Sequence, residues 1–330
     1  MKTSNNNSKG TSTVRFTDAL KKFNSNWKHI MTKKSFVFLL ALGICSGIFA
    51  DTIKIVTTTT DMKSIAEFIG GNKVSVTSIA TGYQNPHFVD PKPSYIISLT
   101  KANLFVTVGL DLETGWSPQL LSSSRNTKIQ KGSAGYVDAS EGVNLLQVPA
   151  AANRAEGDIH IYGNPHYWLD PINGKTIARN IANGLERVDP ANKSFYEANL
   201  VAFNNKIDTK LKEWQGKMAG YKGSKIIAYH NEWVYFETRF GLQIVDFMEP
   251  KPGIPPTPSQ LVKVIKEVTA NKIKVIISSP YFTTSSSDVV AKQTGVKELT
   301  LATSVRAFDS VKDYFGLFDY NIDHLITVLK

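Results

Sequence analysis

Cysteine is nearly absent from this chain of 330 residues. Cys45 is the only one, so no disulfide can close within the chain and no thiolate metal site can form. There is no G-x-x-x-x-G-K-[ST] segment, which excludes a P-loop nucleotide site. H-E-x-x-H and G-x-S-x-G are also missing, and with them the zinc-protease and serine-hydrolase signatures. The compact apolar run from Ser35 to Ile44 is shorter than a membrane span requires. The net charge of +10 would suit nucleic acid or a membrane, but its excess sits at one end. Residues 1–50 hold eight Lys/Arg and one acid, Asp18, which leaves 30 basic against 27 acidic residues, a net of +3. No basic stripe with interleaved aromatics occurs in that remainder, so a nucleic-acid partner is not expected.

The end that carries the charge reads as a targeting segment. Met31-Thr32-Lys33-Lys34 is a short basic stretch, the apolar run follows, and Gly47-Ile48-Phe49-Ala50 ends in a small residue. This is the layout of a secretory signal. Met31 is read as the start, residues 1–30 as an extension, and cleavage after Ala50 would leave a mature chain from Asp51. The protein is thus expected to work outside the inner membrane, in the periplasm or an equivalent space. Cys45 could carry a lipid, but Ile44 before it is bulky for a lipobox, so a soluble chain is the preferred reading.

From residue 51 onward, apolar strand-like runs alternate with helical patterns, the sign of an α/β fold. Strands are predicted at Ile53–Thr57, Val74–Ile79, Leu104–Val108 and Gly135–Asp138, and again at Lys225–Tyr229, Gln243–Phe247, Val275–Ser278 and Glu298–Leu301. Helices are predicted at Met62–Ile69, Pro93–Ala102, Thr257–Asn271, Asp288–Thr294 and Val311–Leu329. Between the two sets lies one long helical pattern. Asp189 is expected to cap it and Pro190 to open it, Phe195, Leu200, Phe203, Ile207, Leu211 and Trp214 recur at helical spacing, and Gly216 and Gly220 mark its expected end. The expectation is two α/β lobes with mostly parallel sheets, over 51–188 and 220–330, joined by a rigid helix over 189–219 and facing each other across a cleft.

The chain has only six histidines, and three sit in short, distinctive segments. These are Asn85-Pro86-His87-Phe88, Asn164-Pro165-His166-Tyr167-Trp168-Leu169-Asp170-Pro171, and Tyr229-His230-Asn231. A residue before proline is pushed to extended geometry, which fixes His87 and His166 on loops entering helices. His230 ends a strand, at the edge where parallel sheets place ligands. Neutral imidazoles from distant segments are a common zinc shell, whereas manganese prefers more oxygen. Asp170 is expected first as the cap of a helix from Pro171 and otherwise as an acceptor that orients His166. His160 reads first as a loop histidine and otherwise as an accessory ligand. His324 reads as a surface residue, and His29 falls in the cleaved end.

These segments, together with Pro91-Lys92-Pro93-Ser94, Ala102-Asn103-Leu104, Gly109-Leu110-Asp111-Leu112-Glu113, Asp189-Pro190-Ala191-Asn192, Tyr235-Phe236 and Glu249-Pro250-Lys251-Pro252-Gly253-Ile254-Pro255-Pro256, resemble the metal-binding solute-binding proteins of bacterial zinc/manganese ABC importers, also called adhesin-type lipoproteins. The resemblance runs over residues 53–329. It implies two α/β lobes bridged by a rigid helix, one metal ion in the cleft, and His87, His166 and His230 as three of its ligands. The fourth departs from the family pattern. Where many members carry a Thr-Asp-Ser-like stretch, this chain reads Leu301-Ala302-Thr303-Ser304, so Asp309 is expected to complete the shell, with Asp313 or a water as alternatives. Zinc-devoted members often carry a long His- and Asp-rich loop before the second histidine, and here only Glu156, Asp158 and His160 stand there.

The function expected is capture of Zn2+ and delivery to the permease of an ABC importer by a monomeric protein that is not an enzyme. Mn2+ or Fe2+ cargo is the alternative, and a host-surface adhesin role follows from the family's label alone. A zinc hydrolase is the remaining reading. It would need a general base near the metal, and the nearest acid, Glu232, is expected to face solvent.

Overall fold

The computed structural model describes residues 52–150 and 160–330. The expected signal segment, Cys45 and the acids Glu156 and Asp158 lie outside the described residues. Two four-stranded sheets, parallel throughout, form the frame. The first contains β1 (Ile53–Thr57), β2 (Val74–Ser78), β3 (Leu104–Thr107) and β4 (Tyr136–Asp138) in the order β2-β1-β3-β4. The second contains β5 (Lys225–Ala228), β6 (Gln243–Phe247), β7 (Val275–Ser278) and β8 (Lys297–Thr300) in the order β6-β5-β7-β8. Both orders reverse next to the first strand of the sheet. Loops leaving the strands diverge at such a switch point and open a crevice at the carboxyl ends. The central strands β3 and β7 are buried at every residue, as expected of sheets covered on both faces.

The helices are α1 (Thr60–Gly70), α2 (Pro93–Thr100), α3 (Ser117–Ser124), α4 (Pro171–Val188), α5 (Lys193–Met218), α6 (Val234–Phe240), α7 (Pro258–Asn271), α8 (Ser285–Thr294) and α9 (Tyr314–Leu329). Most predicted strands agree with the structure to within a residue. Two short helices, α3 and α6, escaped the sequence pattern because neither is long enough to show a period.

The 26 residues of α5 span about 39 Å at the standard rise. Its buried stripe is Tyr196, Leu200, Phe203, Ile207, Trp214 and Met218, at the i, i+4, i+7 spacing of one helical face. Phe203 meets Phe68 of α1 and Phe315 of α9, each with ring centroids 5.2 Å away. One continuous apolar cluster runs from Ile55 and Val106 in the first sheet, through Phe203 and Trp214, to Ile226 and Val275 in the second. The long helix is therefore a strut packed into both halves rather than a free linker. It ends at Met218, between Gly216 and Gly220 as expected, but it starts at Lys193 rather than at Pro190. The helix continues through Gly216, where a side chain would meet open space and nothing forces a stop. Asp189 leaves the backbone of α5 uncapped, because its Oδ2 accepts from Asn192 and, at 2.6 Å, from the Tyr196 hydroxyl.

Direct hydrogen bonds stitch the halves together. Thr60 Oγ1 donates to the Val305 carbonyl at 2.6 Å, Trp168 Nε1 to the Thr303 carbonyl at 2.8 Å, and the Tyr314 hydroxyl to the Trp168 carbonyl at 2.6 Å. Asp61, in the first turn of α1, accepts from Val305 N–H at 2.9 Å. Asp61 is wholly buried, and loss of hydration pushes its carboxyl up to about 7. A folded-state value above the unfolded one means the native protein holds the proton more tightly. The Asp61 contribution to stability is therefore complete below pH 4 and is lost as pH rises through 7, by an amount of the order of 4 kcal/mol. Asp61→Asn keeps an acceptor for Val305 and has no charge to bury. Urea unfolding of the metal-free protein at pH 5 and pH 8 is expected to show the variant gaining on the wild type at the higher pH. An equal difference at both values would show that the Asp61 charge costs nothing.

Candidate metal site

Each of the three histidine segments is fixed by its own local chemistry. In both Asn-Pro-His segments the asparagine Oδ1 accepts the backbone N–H of the histidine two residues on, at 3.0 Å for Asn85 to His87 and 3.0 Å for Asn164 to His166. This is an Asx turn, and the intervening proline has no N–H to compete for the acceptor. The first loop is pinned further by Trp116, whose Nε1 donates to the Pro86 carbonyl at 3.0 Å. The second is held by the Tyr235 hydroxyl, which donates to the Asn164 carbonyl at 2.8 Å and accepts from Leu146 N–H at 3.0 Å. His230 follows β5 at the switch point of the second sheet.

The three rings converge. Candidate ligand nitrogens of His87, His166 and His230 all lie within 4.8 Å of one another. Ring centroids stand 5.1 Å apart for His87–His166 and 5.6 Å for the other two pairs. On one tetrahedral zinc ion, nitrogens at 2.0–2.1 Å would stand about 3.3 Å apart, so small side-chain shifts close the shell. His166 is 1% exposed and neither of its ring nitrogens has a hydrogen-bond partner. Buried polar atoms are rarely left so, and a ring with both nitrogens unsatisfied points to a ligand.

Tautomers follow from the partners. Asn85 Oδ1 also lies 2.8 Å from His87 Nδ1, so Nδ1 donates and Nε2 is left with its lone pair. A carboxylate oxygen can only accept, so His230 Nδ1 donates to Glu249 Oε2 at 2.6 Å, and the lone pair of that neutral ring sits on Nε2. Burial, reinforced by neighbouring histidines, holds His87 and His166 well below the usual imidazole range, which keeps both rings in the neutral form that ligates.

The remaining candidates fare differently. His160 is drawn in, with Nε2 3.1 Å from His87 Nε2, rather than standing apart as a loop residue. It also lines a cavity of about 170 Å3 together with Gln147, Asn164, His166, His230 and Asn231. Asp170 does not orient His166. Its carboxylate caps α4 through Ile172 N–H at 2.9 Å and takes both Arg239 Nε and Nη2 at 2.7 Å. Asp309 is exposed and is not among the residues that gather at the site, and Asp313 caps α9 through Gly316 N–H at 2.8 Å. No acid among the described residues replaces them in that cluster. Glu232, expected at the surface, is wholly buried, and its oxygens accept from Ser279 and Tyr281, so it offers no free general base. His324 lies on the surface, stacked on Tyr320.

Residues 55–328 match the family described as ZnuA, zinc-uptake complex component A, periplasmic. The chain belongs to this ZnuA family. Among its relatives, the manganese ABC transporter substrate-binding lipoprotein PsaA of Streptococcus mitis is 27% identical over 83% of this chain and 88% of that protein. The iron ABC transporter substrate-binding lipoprotein MtsA of Streptococcus pyogenes serotype M1 is 27% identical over 84% and 88%. A crystal structure of ZnuA superposes with a TM-score of 0.73 at 25% identity, covering 85% of this chain and all of that one. The chain is thus a metal-binding substrate-binding protein of an ABC transporter, and its ligand is a divalent metal ion.

Within this ZnuA-family fold, Glu249 is the site residue that sequence reasoning missed. It was visible only as the first residue of the Glu-Pro-Lys-Pro-Gly stretch, and nothing local joins it to a histidine 19 positions earlier. A charge-assisted bond of this kind orients the ring and raises its basicity. Glu249→Gln is expected to weaken metal binding about 10–100-fold by calorimetry while leaving the metal-free melting temperature nearly unchanged. An unchanged affinity would remove Glu249 from the site.

Proposed function

We propose that this protein captures Zn2+ outside the cytoplasmic membrane and hands it to the permease of an ABC importer. The observation that carries the reading is the buried His166 ring, which has both nitrogens unsatisfied and places one of them within 4.8 Å of ligand nitrogens of His87 and His230. In this reading His87, His166 and His230 are the ligands, and His160 or a water completes the shell. An all-nitrogen set of neutral imidazoles suits zinc better than manganese. The relatives named for manganese and for iron make those ions the second reading. In this reading the protein acts outside the membrane as a monomer and is served by a separate permease; no helix among the described residues is long and apolar enough to cross a membrane.

The strut α5, with residues 51–188 and 220–330 as the lobes beside it, leaves little room for a hinge. Asp170–Arg239 and the Trp168–Thr303 bond cross between the halves close to the metal ligands. Cargo release is therefore assigned to movement of the ligand loops, with only slight movement of the lobes.

Two measurements bear on this. Competition calorimetry on metal-free protein is expected to rank zinc above manganese and iron(II), and manganese binding more tightly than zinc would overturn the choice of ion. His166→Ala is expected to lower zinc affinity by about 100-fold or more, since it removes the most deeply buried imidazole and leaves the shell incomplete. A variant that kept wild-type affinity would take the metal elsewhere.

A further inference from the structure

A second cavity, of about 520 Å3, opens where α1 and β2 of the first half meet the segment between β8 and α9 of the second. None of the site histidines lines it. Its charged residues are Lys63, Arg306, Lys312 and a single acid, Glu67. Glu67 lies 3.6 Å from Lys63 Nζ, which accounts for one cation. Arg306 and Lys312 are exposed and have no carboxylate partner among the described residues.

The cavity is built rather than incidental. Arg306 is held at φ 65°, a sparsely populated conformation for a residue with a side chain. Its N–H donates to the Val311 carbonyl at 2.8 Å, which fixes the turn that presents both cations. Gly82 packs so closely under this turn that a Cβ there would stand 2.1 Å from the Val305 carbonyl oxygen. Ser64 Oγ accepts from Tyr314 N–H at 3.0 Å, leaving its hydroxyl proton free to donate on the cavity wall. Tyr83, 61% exposed, forms an aromatic edge. Two unpaired cations, a third held only by a surface pair, and a free hydroxyl donor are the complement of an oxyanion. The volume lies within the range of small-molecule sites and exceeds the needs of a halide.

We propose that this cavity is a second binding site, for a small polyanion bearing phosphate or carboxylate groups, held by Arg306, Lys312 and Lys63 across the junction of the two halves. A guanidinium takes either group through paired hydrogen bonds. Because the cations come from both halves, the bound anion ties α1 to the segment that precedes α9. The site stands independently of which metal the histidines hold.

The test uses the full chain in its metal-free form, titrated with inorganic phosphate and, separately, with tricarballylate, against sodium chloride at matched ionic strength. Saturable binding by calorimetry, with a rise in melting temperature beyond the chloride control, is expected for at least one of the two. The stronger of them identifies the group the site prefers. In the double variant Arg306→Asn, Lys312→Gln the affinity is expected to fall about tenfold or more, with zinc affinity unchanged. Asparagine tolerates the left-handed backbone at position 306, so the turn survives. Should the double variant lose zinc binding, Lys312→Gln alone serves, with a fall of about threefold expected and recovery in Lys312→Arg. Equal stabilisation by chloride, or anion affinity undiminished in the variants, would overturn the proposal.

Discussion

Three imidazoles can share one ion only if each is kept neutral, turned the right way and shielded from water before the ion arrives. Every feature around the rings serves one of these conditions. Burial keeps His87 and His166 unprotonated, since a charged ring there would lose its hydration without gaining a counter-ion. Asn85 and Glu249 each take the Nδ1 proton of a ring and so present Nε2. His166 has no such orienter, and packing holds it instead, with its centroid 5.2 Å from that of the buried Trp168. The three rings are thus positioned by three different devices. What they share is their origin in segments that follow the carboxyl ends of strands.

That shared origin explains why the frame, and the meeting of three histidine segments at one place, could be read from the sequence. Parallel strands buried on both faces read as continuous apolar runs, and β3 and β7 are such runs. The Asn-Pro-His segments encode a turn through elementary sterics, so their meaning survives without knowledge of what surrounds them. Legibility failed where the deciding partner is remote in the chain. Asp170 carries two roles that sequence could name, cap and orienter. Arg239, 69 positions away, settles the matter by occupying both carboxylate oxygens. Glu232 was misplaced for the same reason, because Ser279 and Tyr281 lie 47 and 49 positions further on. Composition near the site also misled: acids in the stretch around Asp309 suggested a ligand, but a side chain's direction is not written in its identity.

His160 shows the reverse case. Nothing adjacent to it in sequence distinguishes it from a loop residue, yet it reaches the His87 ring. A histidine contributed by a loop differs physically from one held by an Asx turn, because it can be withdrawn without disturbing either sheet. The other rings sit on segments tied into the frame by Trp116, Tyr235 and the pairing of β5.

The stiffness of the frame then sets what exchange can involve. Opening the two halves as rigid bodies would break the Asp170–Arg239 pair and the bonds from Thr60, Trp168 and Tyr314 together. It would also bare apolar surface along Phe203 and its neighbours. Each of these interactions contributes about 1 kcal/mol or more, and they are lost in concert. Rearranging a loop costs far less, because its hydrogen bonds are few and already close to water. A partner that draws the ion out therefore gains most by rearranging loops and leaving the strut intact.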